Sequence, residues 1–156
     1  ASMQAAPTFR LMPDRVLPPV RTPFRAIARV VVPEMAEMDA MAWEEAEAII
    51  EAGVRDRPAA MKRQLRLFIR VIQLLPIFRY GRPFTRLSRG QGERVLRWLE
   101  GSRLFLLRRG FWGLRTLVFM GYYGQDRTRV RLGYQADPRG WEARRRPEGP
   151  PAEVEP

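Results

Sequence analysis

The sequence contains no histidine and no cysteine. The first absence removes the usual general base at neutral pH and the commonest metal ligand. The second removes thiolate nucleophiles and disulfides, and the two together remove nearly all zinc and haem sites. Catalytic readings therefore start at a disadvantage. A disulfide-free chain also suits any redox compartment, so cysteine usage assigns none. Lysine is almost missing as well: Lys62 stands alone among 28 basic residues, and every other positive charge is a guanidinium. A GC-rich or thermophilic source accounts for such usage, and so does a surface built for planar, two-toothed ion pairs with carboxylates or phosphates.

No uninterrupted apolar run has the length of a membrane span. The longest candidate, from Leu104 to Tyr123, carries Arg108, Arg109 and Arg115. Each mid-span arginine costs about 2.5–3.5 kcal/mol on insertion scales, so a buried helix with an arginine edge is expected instead of a transmembrane segment. The opening "ASM" reads as a cloning remnant ahead of Met3, and no basic stretch followed by an apolar one is visible. That favours a cytoplasmic location, or a periplasmic one if an export signal was trimmed.

What is present is helical periodicity between prolines. At 156 residues with a net charge of +11, the chain has the length of one domain. Residues 1–21 hold prolines at 7, 13, 18 and 19 and read as an extended arm. "TPFRAIARVVVP" offers Thr22 as N-cap and Pro23 as first helical residue, with Phe24, Ile27, Val30 and Val31 on one side and Pro33 as the stop. Residues 34–51 carry seven acids and no base at helical spacing, which predicts one acidic helix capped by Gly53. Asp56 and Pro58 open a third helix whose core stripe is Met61, Leu65, Phe68, Ile72 and Leu75. Ser88 and Gln91 have capping-box spacing ahead of Val95, Leu96 and Leu99, and Gly101 ends that helix. Ser102 then caps a last helix running to about Gly121. The expectation is an all-α fold: a compact bundle of about five helices over residues 22–141, preceded by the extended arm. An irregular C-terminal segment and a disordered tail over 142–156 follow.

The charges are segregated. Against the seven acids of 34–51, residues 55–146 carry 23 bases and six acids. Either the acidic helix lies antiparallel to the basic one and exchanges ion pairs with it, or one sign is displayed to a partner. Glu44 and Glu47 could be offered as di-metal ligands, but the bundle form of that chemistry needs Glu-x-x-His pairs, and a solvated face explains them. "RGQG" and "RRGFWG" follow no strand and lack a P-loop lysine. A basic chain with 10% aromatics invites a nucleic-acid reading, yet no helix-turn-helix or RNP-like pattern is present, and nucleic acid is not expected as a partner.

Aromatics crowd the C-terminal third. In "LVFMGYYGQDRTRVRLGY" the apolar run ends at Gly121, placing Tyr122, Tyr123 and Tyr134 in a loop. With Phe111, Trp112, Arg115 and Trp141 they form the candidate partner interface, since tyrosine, tryptophan and arginine anchor interfaces. The alternative is that the loop folds back over its own bundle.

"FTRLSRGQGERVLRWLEGS", an arginine-bearing apolar helix and "MGYYGQDRTRVRLGYQADP", in that order, resemble the small subunit of gluconate 2-dehydrogenase, the subunit 3 family. The matching positions are Phe84, Leu87, Ser88, Glu93, Arg94, Val95, Leu96, Ser102, Tyr122, Tyr123, Leu132, Gly133 and Tyr134, with "FRAIARVVVP" as a looser match near the start. The resemblance spans roughly residues 22–138. It implies a non-catalytic, chaperone-like subunit that binds and stabilises a large catalytic subunit of the glucose-methanol-choline oxidoreductase type. FAD would then reside in the partner and no cofactor in this chain. Many members of that family carry a twin-arginine export signal, which is not seen here. The alternative is a basic helical module binding nucleic acid or a membrane surface.

Overall fold

The computed structural model describes residues 14–131 and 133. Among them the chain is all-α, with seven helices and no strand. These are α1 (Arg21–Val31), α2 (Ala40–Val54), α3 (Ala59–Leu74), α4 (Ile77–Tyr80), α5 (Arg89–Glu100), α6 (Phe105–Tyr123) and α7 (Asp126–Arg131). Five are long, and α4 and α7 are short, with four and six residues. The centre is shared by α1, which touches α3, α5 and α6, and by α6, which touches α2, α3, α5 and α7.

The end of the arm docks onto this bundle. Val16 and Leu17 are buried, and their backbone N–H groups donate to the Glu51 carboxylate at 3.1 and 2.7 Å. A 3-10 turn at Pro18–Val20 then feeds α1 directly. For that reason Thr22 is not the cap: α1 starts at Arg21 with Val20 before it and no side-chain cap, and Pro23 sits in the first turn, where its missing N–H costs nothing. Phe24, Ile27 and Ala28 face the core. Val32 is extended (φ −126°, ψ 96°), as the residue before a proline prefers, and the helix stops there.

The acidic segment is two pieces instead of one helix. Pro33–Glu37 winds as a 3-10 turn with Met35 buried, and Asp39 then caps α2 by accepting the Ala42 N–H at 2.8 Å. A short carboxylate side chain that satisfies an orphan N–H restarts the helix where the sequence reading ran straight through. Gly53 does not end α2, which continues to Val54. A Cβ at Gly53 would lie 2.6 Å from Met120 Cε, so this glycine makes room for a neighbour.

In α3 the core residues are Ile69 and Ile72, with Leu65, Phe68 and Leu75 half-buried against them. Met61 is exposed: the first turn, with Ala59, Ala60, Arg63 and Gln64, extends past the packed part of the bundle. Pro76 separates α3 from α4, which ends on Gly81 in the left-handed region (φ 67°). Gln73 exchanges hydrogen bonds with Thr85, tying α3 to the 3-10 turn at Phe84–Arg86, whose Phe84 is buried. The capping box at Ser88 and Gln91 is present with both bonds formed. Ser102 does not cap α6. Leu104 occupies that position, and the Ser102 hydroxyl accepts the Leu104 N–H at 3.2 Å in the turn before it.

The acidic helix does not exchange ion pairs with the basic α3. Its buried carboxylate, Glu47, instead accepts from Arg21 Nε at 2.9 Å and Arg25 Nε at 2.7 Å on α1. Glu47 is thus no part of a solvated face, whereas Glu44 is exposed. Trp43 lies beneath the guanidiniums of Arg25 and Arg29, at 5.0 and 5.2 Å from the ring centre.

Candidate docking surface

Helix α6 continues through Gly121 to Tyr123, so Tyr122 and Tyr123 occupy its last turn and not a loop. The sequence reading took Gly121 for a terminator. Its Cβ would instead meet Ile50 Cδ1 at 2.7 Å and the Ala46 carbonyl at 3.1 Å, and the missing side chain is what lets α2 and α6 approach. Tyr122, 9% exposed, points into the bundle and packs edge-on against the Tyr123 ring at 5.0 Å between centres. Phe111 is also core, alongside Leu114 and Val118. Both residues cover the chain's own bundle. Tyr134 and Trp141 lie outside the described residues.

The other candidates are brought together. Trp112 is 56% exposed. Arg115 donates to Glu100 at 2.9 Å, and its guanidinium lies 6.0 Å from the Trp112 ring centre and 5.2 Å from that of Phe119. Phe119 is half-buried and stands 6.0 Å from Tyr123, which is exposed. Phe105, 59% exposed, and the exposed Arg108 extend the same row toward the start of the helix.

The row reads Phe105, Arg108, Trp112, Arg115, Phe119, Tyr123, with spacings of three, four, three, four and four residues. Such spacing keeps all six on one face of a helix. It alternates ring and guanidinium along its first five positions, so each arginine has an aromatic on both sides. Leu104 and Leu106 are exposed at its head. Sequence reasoning left Phe105, Arg108 and Phe119 out of the candidate interface because it chose aromatics by their crowding toward the end of the chain and not by the face of the helix they share. Counting helically from Trp112 in both directions, back to Phe105 and on through Gly121, would have found them.

Two cavities lie elsewhere. One, of about 300 Å³, opens between the Pro33–Asp39 segment and α7 and mixes Glu34, Glu37 and Asp39 with Arg127 and Arg131. Arg127 and Asp39 are paired across it at 3.7 Å. The second, of about 440 Å³, is a mainly apolar groove between α4 and α5. Among the described residues no group of three or more carboxylates is placed to hold a metal ion, and no helix is long and apolar enough to cross a membrane. No family model matches this chain, nor does any curated protein or solved structure.

Proposed function

We propose that this chain is a non-catalytic subunit that binds and stabilises the large FAD-containing subunit of a glucose-methanol-choline type dehydrogenase. The observation that carries a docking role is the exposed ring-and-guanidinium row of α6. Aromatic and arginine side chains are the groups that dominate binding energy at protein interfaces. Obligate interfaces commonly bury more than about 2,000 Å². A row along the 19-residue α6, about 28 Å long, with the exposed Leu104 at its head, offers an apolar strip around which a face of that kind can form.

The nature of the partner rests on the resemblance to the gluconate 2-dehydrogenase small subunit. Several positions that carry it serve the bundle in this chain: Ser88 caps α5, Val95 and Leu96 are core, and Tyr122 packs beneath Tyr123. The proposed mechanism is mass action. A subunit that binds the native large chain and not its unfolded form raises that chain's stability in proportion to the logarithm of its own concentration. FAD and hydride chemistry belong to the partner in this reading, and this chain, without histidine or cysteine, supplies surface.

Affinity purification of the tagged chain from its native cells tests the proposal. A co-purifying polypeptide of several times its mass with flavin absorbance is the expected result. Recovery of the chain alone, with nucleic acid, or with anionic lipid vesicles in place of a flavoprotein would overturn it.

A further inference from the structure

The groove between α4 and α5 is built unlike the α6 row. Its floor is apolar, from Leu75, Pro76 and Val95, and its walls carry Phe78 and Trp98. Phe78 is 92% exposed and Trp98 55%, so two ring faces are presented to solvent at one groove. Arg79 and Arg94 stand at its rim with Tyr80 between them. On α5 the groove residues Arg94, Val95 and Trp98 fall at i, i+1 and i+4, so the charge and the ring share one edge of the helix.

The positive charge at this rim is not neutralised from within the described residues. Between residues 76 and 100 there are six arginines and two glutamates. Both glutamates are engaged elsewhere, Glu93 with Arg89 at 3.2 Å and Glu100 with Arg115 at 2.9 Å. Neither Arg79 nor Arg94 meets a carboxylate within 4.0 Å among the described residues. The neighbouring Arg79 guanidinium, with Arg94 adding to it and partial desolvation opposing, holds the Tyr80 phenol below its ordinary range.

We infer that this groove receives an acidic peptide segment of the large subunit, with a ring or long aliphatic side chain seated between Phe78 and Trp98 and flanking carboxylates at Arg79 and Arg94. Charge complementarity selects that occupant. A basic segment would face two like charges, and a neutral apolar one would leave both guanidiniums uncompensated. Arginine suits the role because its planar fork takes a carboxylate two bonds at a time. The inference rests on the subunit role proposed above and adds where the partner is gripped and by what chemistry.

The test uses a fluorescein-labelled hexapeptide with four glutamates flanking a central leucine–phenylalanine pair, and a control with four lysines in their place. Anisotropy should show the acidic peptide binding at least about tenfold more tightly than the basic one. Arg79→Glu with Arg94→Glu should weaken it by at least about tenfold, and Trp98→Ala by a similar factor. All three side chains are exposed, so circular dichroism should be unchanged, and Trp112→Ala should leave the peptide affinity intact. No binding of the acidic peptide, equal binding of the basic one, or insensitivity to the double charge reversal would overturn the inference. The two readings separate in the affinity purification. A double variant that still captures the flavoprotein sinks the groove and spares the subunit role. A native chain that binds the peptide but captures no flavoprotein sinks the subunit role and with it the large subunit as the source of the segment, and leaves only the groove's preference for acidic peptide standing.

Discussion

Glu47 is 4% exposed at its side chain and holds two arginines from another helix. Taking a carboxylate out of water is costly unless charge and hydrogen bonds replace the lost hydration, and here both oxygens are occupied. Glu47→Gln removes the charge and leaves Arg21 and Arg25 without a counterion. Both are partly exposed and can rehydrate, so the expected loss is about 1–3 kcal/mol, read as a lower denaturant midpoint at unchanged slope. The pairing was not legible in sequence because the partners lie 26 and 22 positions away, and nothing local distinguishes Glu47 from its exposed neighbour Glu44. Glycines of α6 give a second contrast at this scale. Gly121→Ala drives a Cβ toward the Ala46 carbonyl, which cannot move without displacing α2, and should cost about 1–3 kcal/mol despite alanine's better helix propensity. Gly113 has nothing within 4 Å of that position, and Gly113→Ala should stabilise by about 0.5–1 kcal/mol. Thermal melts of the two variants should move in opposite directions.

Among the elements, those defined by local chemistry were the ones that could be read. The α5 cap at Ser88 and Gln91 needs residues only three apart, and its core residues Val95, Leu96 and Leu99 followed from spacing. Ser88→Ala should cost about 1 kcal/mol and increase amide exchange in the first turn of α5, with little effect on α6. Elements shaped by close approach were misread. Gly53 and Gly121 look in sequence like helix terminators, because a glycine that ends a helix and one that admits a neighbour have the same letter. Only the facing residues, Met120 for one and Ile50 with Ala46 for the other, tell them apart. The break at Asp39 was hidden for a related reason, since an acid amid acids does not advertise that it caps. Met61 kept the periodicity of a core stripe on a turn that no other element covers.

For the whole molecule, the proposed subunit role divides the aromatics into two populations: Phe24, Trp43, Phe84, Phe111 and Tyr122 hold the bundle together, and Phe105, Trp112, Tyr123, Phe78 and Trp98 stand outside it. Substituting Phe105 and Trp112 together by alanine should change the chain's own stability by no more than about 0.5 kcal/mol, because neither is core. The same pair should sharply lower recovery of the flavoprotein complex on co-expression. Unchanged recovery would remove α6 from the interface. The glycine contacts between α2 and α6 bear on this at a distance. With Met120 set over Gly53, and Ile50 over Gly121, the two helices interlock like a toothed rack, and the teeth fix the rotational phase of α6. One residue of slip would turn the helix by about 100°, swinging Trp112 and Tyr123 off their azimuth and bringing different side chains outward. Residues packed against α2 near the end of the helix therefore aim the exposed ones along its length.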